Sequence, residues 1–302
     1  MKIIEAKDLS KRFGKIHALD KLSCDISAAS IYGLIGSNGA GKSTFMRLVA
    51  GVYKADSGSL QYQGQEIFGN AALRHEILLV PDQPCFLPGE NLTGMAHFYS
   101  TLYDHWDASF FNELLEIFPL DPQLALSKMS KGMQRQASLL LALAARPQLL
   151  LMDEAFDGLD PVMRESLKRI LAREVVENQL TCIIASHNLR ELEDFCDKIG
   201  LLHHGGLIYQ HELESMNLGV YKIQTAFHTL PSKEELEALG LTILHCERRG
   251  SILQLVIRAE KSEIREKLAP LSPLILDMLP LTLEELFIYE LEVKGYAVRN
   301  LI

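Results

Sequence analysis

The sequence lacks the cysteine spacings of a zinc-binding or disulfide-stabilised protein. It contains five cysteines, an odd number, and no two of them form a Cys-x-x-Cys pair. Zinc sites and disulfide frameworks both require cysteines at short or regular intervals. The scattered positions therefore argue against both kinds of site and favour a reducing compartment such as the cytosol. The cysteines are Cys24, Cys85, Cys182, Cys196 and Cys246.

The chain also lacks a long apolar segment and a block of basic residues. Its longest apolar run, residues 139–145, is far shorter than the ~18 residues of a membrane-spanning helix. It begins with strand-like residues 3–6 rather than the apolar core of a secretory signal. With 39 acidic and 30 basic residues, the net charge of −9 gives no general attraction for nucleic acid. We expect a cytoplasmic protein that binds no nucleic acid and that needs a partner if it works at a membrane.

Residues 36–44 have the spacing of a phosphate-binding loop, in which Gly is followed by four residues and then by Gly-Lys-Ser. Apolar residues 31–35 before the loop predict a buried strand, and the residues after it predict a helix. The glycines let backbone N–H groups approach phosphate oxygens, and the helix N-terminus adds its positive dipole end. We expect Lys42 to reach the β- and γ-phosphates of a nucleoside triphosphate and Ser43 to bind Mg²⁺. The loop consists of Gly36, Ser37, Asn38, Gly39, Ala40, Gly41, Lys42, Ser43 and Thr44.

Two other predicted buried strands end in residues that are suited to hydrolysis. Residues 149–152 lead into Asp153 and Glu154, and residues 181–185 lead into Ser186 and His187. Acidic pairs and histidines at strand ends are often only structural, but open α/β sheets bind ligands at these carboxyl ends. Because the chain also has a phosphate loop, we expect Asp153 to hold Mg²⁺ through water and Glu154 to polarise the attacking water. His187 is expected to donate to the γ-phosphate.

The other local patterns predict the remaining elements of a first domain. Alternating residues 3–9 and 22–26 predict half-buried strands, and residues 59–68 a hairpin that turns near Gly64. Residues 84–146 predict a helical insertion, with helices near 95–103 and 110–118 and a long helix from Ser130 to about Ala145. Residues 199–209 predict a closing hairpin with a Gly-Gly turn.

Over residues 2–215, the order and spacing of these motifs resemble the ATP-binding subunit of ABC transporters. The phosphate loop, a signature-like segment at 130–134, Asp153-Glu154, a Gly158-Leu159-Asp160 loop and His187 carry the resemblance. It implies an α/β P-loop NTPase with a mixed sheet core, an antiparallel β-subdomain and a helical subdomain at about 84–146. It also implies that Phe13 stacks on adenine, although an aromatic before a turn can equally fold back on its sheet.

Two departures from the family pattern concern the site. The family usually has Leu-Ser-Gly-Gly-Gln where residues 129–133 read Met-Ser-Lys-Gly-Met, a form similar to bacterial exporters of the ABC-2 type. Asp82 occupies the place of the glutamine that senses Mg²⁺, and Gln83 follows it, so either could reach the metal. In a dimer with a second ATP-binding subunit, identical or different, the resemblance implies that the signature faces the γ-phosphate bound by the partner. The signature residues are Ser130, Lys131, Gly132 and Met133.

Beyond residue 215 the chain carries no catalytic motif. Residues 216–302 predict the order β-α-β-β-α-β of a small α+β ferredoxin-like domain, with a last helix near 283–291. Dimer contact, regulation and simple stabilisation are all compatible with it. Similar tails on ABC-2-like ATPase subunits favour a membrane partner.

The sequence thus predicts an ATPase that powers a transporter through a separate transmembrane permease subunit, on the inner face of the cell membrane. The alternative is a soluble ABC ATPase that acts on ribosomes or DNA ends. One uninterrupted cassette, no heptads and an acidic balance favour transport, and the resemblance favours export.

Overall fold

The computed structural model describes residues 1–213, 219–228, 230–279, 281–282, 284–285 and 288–289. The chain forms two compact units, residues 1–211 and 212–302. The predicted domain boundary after residue 215 lies outside the described residues and stays a prediction. Within the described ranges, every helix is too short or too polar to cross a membrane.

The first unit has a buried strand before the phosphate loop and a helix after it, as the sequence patterns predict. Its strands are β1 (Lys2–Phe13), β2 (Ile16–Ser27), β3 (Ile31–Ile35), β4 (Ser57–Tyr62), β5 (Gln65–Glu66), β6 (Ile77–Val80), β7 (Leu149–Asp153), β8 (Thr181–Ser186), β9 (Lys198–His203) and β10 (Gly206–Glu212). Its helices are α1 (Lys42–Val49), α2 (Ala71–Arg74), α3 (Leu92–Leu102), α4 (Ala108–Ile117), α5 (Lys131–Ala144) and α6 (Pro161–Asn178).

A six-stranded sheet in the order β10-β9-β3-β8-β7-β6 positions the predicted site. The strands from β9 to β6 run parallel to their neighbours, and β3, β7 and β8 are buried along their whole length. Burial on both faces explains why these strands are almost continuously apolar. The register pairs Ile35 with Ser186 and Asp153 with Ala185. The phosphate loop, Asp153 and His187 therefore leave the sheet at the same edge.

A second sheet of four antiparallel strands, in the order β2-β1-β4-β5, packs against this one. Ile4 and Tyr62 of this sheet share one core with Leu34 of β3 and Phe45 of α1. The predicted mixed core and antiparallel β-subdomain are confirmed. The chain reverses between β4 and β5 at Gln63 and Gly64, as predicted.

The closing hairpin differs in one detail from the predicted Gly-Gly turn. The turn residues between β9 and β10 are His204 and Gly205, with φ of +46° and +80°, and Gly206 already begins β10. Positive φ at both central residues suits the right-handed twist of a two-residue hairpin. The N–H of Gly205 donates to the carbonyl of Ala40 at 2.9 Å. The hairpin therefore braces the phosphate loop.

The helices predicted for the insertion are present as α3, α4 and α5, and the bounds of the insertion stay a prediction. Each helix has a polar side chain at its N-cap: Asn91 accepts from the N–H of Gly94, Asp107 from that of Phe110, and Ser130 from that of Met133. Such caps satisfy N–H groups that have no partner within the helix.

Arg146, directly after α5, joins the helical insertion to α6. Its guanidinium bonds to the Asp107 carboxylate at 2.9 Å, lies 3.8 Å from the Phe110 ring centre and forms a close ion pair with Glu174. Glu174 lies on α6, is only 4% exposed and also accepts from Asn178 at 2.8 Å. One cation thus satisfies a buried carboxylate and a helix cap.

The second unit has the predicted ferredoxin-like order. Its elements are β11 (Val220–Ala226), α7 (Lys233–Ala238), β12 (Thr242–Arg249), β13 (Ile252–Arg258), α8 (Lys261–Leu268) and β14 (Ile275–Leu279). The antiparallel sheet runs β12-β13-β11-β14, and Ile223, Leu255, Ile264 and Leu268 lie in its core. The predicted helix at 283–291 lies mostly outside the described residues.

We expect Glu174→Ala to lower the free energy of unfolding by about 2–4 kcal/mol, because Arg146 loses its buried partner. Glu165→Ala, on the exposed side of α6, removes a surface ion pair with Arg169 and is the matched control. It should change the same quantity by less than about 1 kcal/mol. Urea unfolding of both variants measures the difference. Equal values would show that the buried pair does not stabilise this junction.

Candidate functional site

The phosphate loop packs so closely against its neighbours that Gly41 cannot carry a side chain. Gly41 has φ of +112°, and a Cβ there would lie 2.5 Å from the carbonyl oxygen of Ala18. It is also the N-cap of α1 and makes no side-chain capping bond. The N–H groups of the first turn of α1 therefore stay available to an anion.

Lys42 lies beside the loop with its ammonium group almost completely buried, at 6% exposure. Its Nζ donates to the carbonyl of Gly36 at 2.6 Å and lies 3.3 Å from Oε1 of Glu154. A buried cation needs such partners because burial removes its hydration. The ion pair brings together two residues that are 112 positions apart along the chain, as the sequence predicts for the edge of the sheet.

Glu154 connects Lys42 to His187. Its Oε2 lies 2.9 Å from Nδ1 of His187 and accepts from the backbone N–H of the same residue at 3.3 Å. Its backbone has φ of +51°, an uncommon conformation for a residue other than glycine, and its N–H donates to Ala185 at 2.9 Å. The structure thus gathers all three predicted catalytic residues, while their roles stay predictions. Asp157, which the sequence patterns did not suggest, lies close enough for its carboxylate to share a cation with Glu154 and His187.

Asp153 and Ser43 provide oxygen ligands of the kind that Mg²⁺ prefers. Asp153 is buried, and the Ser43 side chain lies near enough to lower the pKa of its carboxyl. Burial is the main cause that raises the pKa of Asp153, and the negative charges of Glu154 and Asp82 raise it further, whereas Ser43 and Lys42 lower it. A buried carboxylate next to a hydroxyl fits a hard cation that keeps several waters.

Asp82 and Gln83 differ in their surroundings. Both side chains are exposed, but Asp82 bonds to Arg135 at 2.9 Å, and its negative charge raises the pKa of Asp153. The sequence patterns did not suggest Arg135. The signal that could have revealed it is an arginine four residues before the apolar run of α5, since a buried cation requires acceptors.

The signature-like segment forms the N-terminus of α5. Ser130 and Lys131 are exposed, and the hydroxyl of Ser130 accepts from the N–H of Met133 at 3.2 Å. A Cβ on Gly132 would lie 2.8 Å from the carbonyl oxygen of Gly158, so the two loops require glycine there. Gln134 donates to the carbonyl of Leu126 at 2.9 Å, so its side-chain amide is bound within its own chain.

Phe13 lies at the end of β1, and its ring is 42% exposed. The ring contacts Tyr53 edge-on, with centroids 5.3 Å apart, and Lys11 lies 5.5 Å from its centre. An aromatic with this much exposed surface can stack on a base, which stays a prediction.

Known proteins resemble this chain over two thirds or more of its length. The sequence family described as ABC transporter matches residues 19–157. The ABC transporter ATP-binding protein YtrB of Bacillus subtilis (strain 168) is 31% identical, over 95% of this chain and 97% of YtrB. The bacitracin transport ATP-binding protein BcrA of Bacillus licheniformis is 32% identical, over 68% of each chain. A solved dimeric bacterial ABC transporter cassette has a TM-score of 0.63 at 20% identity, over 70% of this chain and 99% of that one, and so shares the fold.

We expect Asp153→Asn to raise the free energy of unfolding at neutral pH. Because the pKa of Asp153 is raised in the folded state, the ionised carboxylate destabilises the fold above that pKa. The gain should shrink as the pH falls and the wild-type carboxyl becomes neutral. Asp56→Asn is the opposite-sign control, since a hydrogen bond from Lys11 and others lower the pKa of Asp56. Denaturant unfolding at neutral and mildly acidic pH tests both, and a loss of stability in Asp153→Asn at neutral pH would contradict the expectation.

Proposed function

This chain belongs to the family of ABC transporter ATP-binding proteins, and from that premise we propose that its site binds ATP with Mg²⁺ for hydrolysis that drives a separate membrane subunit. The observation that carries the proposal is the contact of Glu154 with both Lys42 and His187 at the edge of the sheet. Two catalytic groups and the phosphate-binding lysine meet there in one place. This arrangement suits attack of water on a phosphate that the loop holds.

The contacts of Lys42 suggest how triphosphate binding prepares Glu154. In the structure, the Lys42 ammonium group donates to the Gly36 carbonyl and also pairs with the Glu154 carboxylate. Phosphate oxygens in the loop attract the ammonium group more strongly than a carbonyl does, because they carry full charge. Glu154 is then released to accept a proton from the attacking water. His187 keeps its hydrogen bond to Glu154 and orients it.

Ser43 and Asp153 hold the Mg²⁺ in this proposal, Ser43 through its hydroxyl and Asp153 through a water. The ion would neutralise charge on the β- and γ-phosphates. Phe13 provides its exposed ring face to the adenine. The burial of Asp153 beside Ser43 supports this assignment.

A second ATP-binding subunit completes each site in the proposed active state. Ser130 and Lys131 are exposed at the N-terminus of α5, where the positive dipole end favours an anion. The dimeric arrangement of the solved cassette supports this assignment. We propose that the exposed start of α5 covers the γ-phosphate of the opposite chain.

The names of the relatives support a membrane partner. YtrB is an ABC transporter ATP-binding protein, and BcrA is a bacitracin transport ATP-binding protein. We propose that this chain works on the cytoplasmic face of the membrane, bound to a permease subunit that determines the transported molecule. The form of the signature favours an exporter.

Glu154→Gln should keep ATP binding but slow hydrolysis about a hundredfold or more, because a neutral amide is a poor base. Bound ATP should then hold two chains together. Phosphate release and size exclusion with ATP and Mg²⁺ measure the two effects. Wild-type hydrolysis rates would overturn the role of Glu154.

Mixing two inactive variants tests whether the signature acts across the interface. Ser130→Arg blocks the signature but leaves its own phosphate loop intact, whereas Lys42→Ala does the reverse. A mixed dimer therefore carries one site with both defects and one site with neither. If pairing is random, about a quarter of wild-type ATPase activity should return.

Two controls accompany the mixing experiment. Each variant alone should stay inactive over the same range of protein concentrations, and cross-linking should show that mixed dimers form. Mixed dimers without any activity would contradict a signature that completes the opposite site independently.

A further inference from the structure

Arg135 connects α5, whose N-terminus carries the signature-like segment, to the residues around Asp153. It lies in the second turn of α5, is 7% exposed, and its three bonds reach two other parts of the fold. Nη1 donates to the backbone carbonyls of Asp153 and Glu154 at 3.1 and 2.9 Å. Nη2 pairs with the Asp82 carboxylate at 2.9 Å. The guanidinium is therefore fixed by the backbone that carries the Asp153 and Glu154 carboxylates.

Asp82 has more freedom than Arg135. Its side chain is 52% exposed, while that of Arg135 is 9% exposed. The Asp82 charge also acts on the Asp153 carboxylate. The guanidinium that holds Asp82 thus also contacts the backbone of Asp153, the residue to which we assign the Mg²⁺ ion.

We propose that Arg135 and the bound divalent cation compete for the Asp82 carboxylate, so that Arg135 is a positioning residue that sets how strongly ATP binding depends on the cation. The inference rests on the proposed function, since it needs ATP and Mg²⁺ at this site. The competition requires a charged side chain at position 82. A neutral glutamine there would have no charge to pair with the arginine.

Charge alone gives Asp82→Asn and Arg135→Gln opposite effects on the affinity for ATP. Asp82, Asp153 and Glu154 repel ATP that carries no cation. Asp82→Asn removes one of these negative charges and one ligand of the cation, so cation-free ATP should bind more tightly and the benefit of Mg²⁺ should fall. Arg135→Gln releases Asp82 and removes a positive charge, so cation-free ATP should bind less tightly and the benefit of Mg²⁺ should rise. One charge near the phosphates corresponds to a change of about three- to tenfold in affinity.

The measurement is the Kd of a non-hydrolysable ATP analogue by calorimetry, once with excess Mg²⁺ and once with EDTA. The ratio of the Kd in EDTA to the Kd in Mg²⁺ reports how strongly binding depends on the cation, without any turnover. We expect Asp82→Asn to lower this ratio about three- to tenfold and Arg135→Gln to raise it by a similar factor. A purely structural salt bridge would shift both Kd values together and leave the ratio unchanged.

Two further variants separate charge from folding. Arg135→Lys keeps the positive charge and should leave the ratio within about twofold of the wild type. Arg169→Gln removes an arginine from an exposed ion pair on α6 and should not change it. If Arg135→Gln does not fold, Asp82→Asn decides the question, because that side chain is half exposed and keeps its shape.

The outcomes for the inference and for the proposed function differ. A wild-type protein that binds the analogue more tightly with Mg²⁺, together with an unchanged ratio in Asp82→Asn, would overturn the inference alone. A wild-type protein that binds the analogue in neither buffer would overturn the proposed function, and the inference with it.

Discussion

The Lys42–Glu154 ion pair depends on the register of three buried parallel strands. β3 leads into the loop that carries Lys42, β7 leads into Glu154, and β8 lies between them. Because parallel strands present all their carboxyl ends at one edge, two charges that are distant in sequence reach 3.3 Å. If β7 slipped by one residue, Asp153 and Glu154 would each move to the other face of the sheet. Lys42 would then be buried without its carboxylate partner.

The uncommon backbone of Glu154 is held on both sides of the residue. Its N–H donates to Ala185 on β8, and its carbonyl accepts from Arg135 on α5. A positive φ at a residue other than glycine costs on the order of 1–3 kcal/mol and persists only where neighbours fix it. The conformation aims the carboxylate at Lys42 and His187 instead of along the strand. The strain is thus local, and the sheet and α5 both maintain it.

Local patterns predicted much of the fold and most of the candidate site. The strand-loop-helix at residues 31–49 and the apolar run before Asp153 are encoded by adjacent residues, and the structure has them where the sequence indicated. Arg135 was missed because its acceptors are 53 and 18–19 positions away and depend on how α5 packs. At positions 82 and 83, where the sequence left the metal contact open, the structure gives Asp82 an ion pair with Arg135, and spacing along the chain does not encode that partner. The fold class is confirmed, and the roles of the site residues stay predictions.

Helix α5 is tied to the core at both ends by arginines. Arg135 near its start bonds to the backbone of Asp153 and Glu154, and Arg146 after its end pairs with Glu174 on α6. Since a helix of 14 residues is about 21 Å long and stiff along its axis, it transmits displacement with little loss. The helix therefore connects the exposed Ser130, the backbone of Asp153 and Glu154, and α6 in one stiff element. Arg135 is the side chain that joins the start of this helix to the backbone from which the Asp153 and Glu154 carboxylates project, so the position of α5 helps to fix both residues.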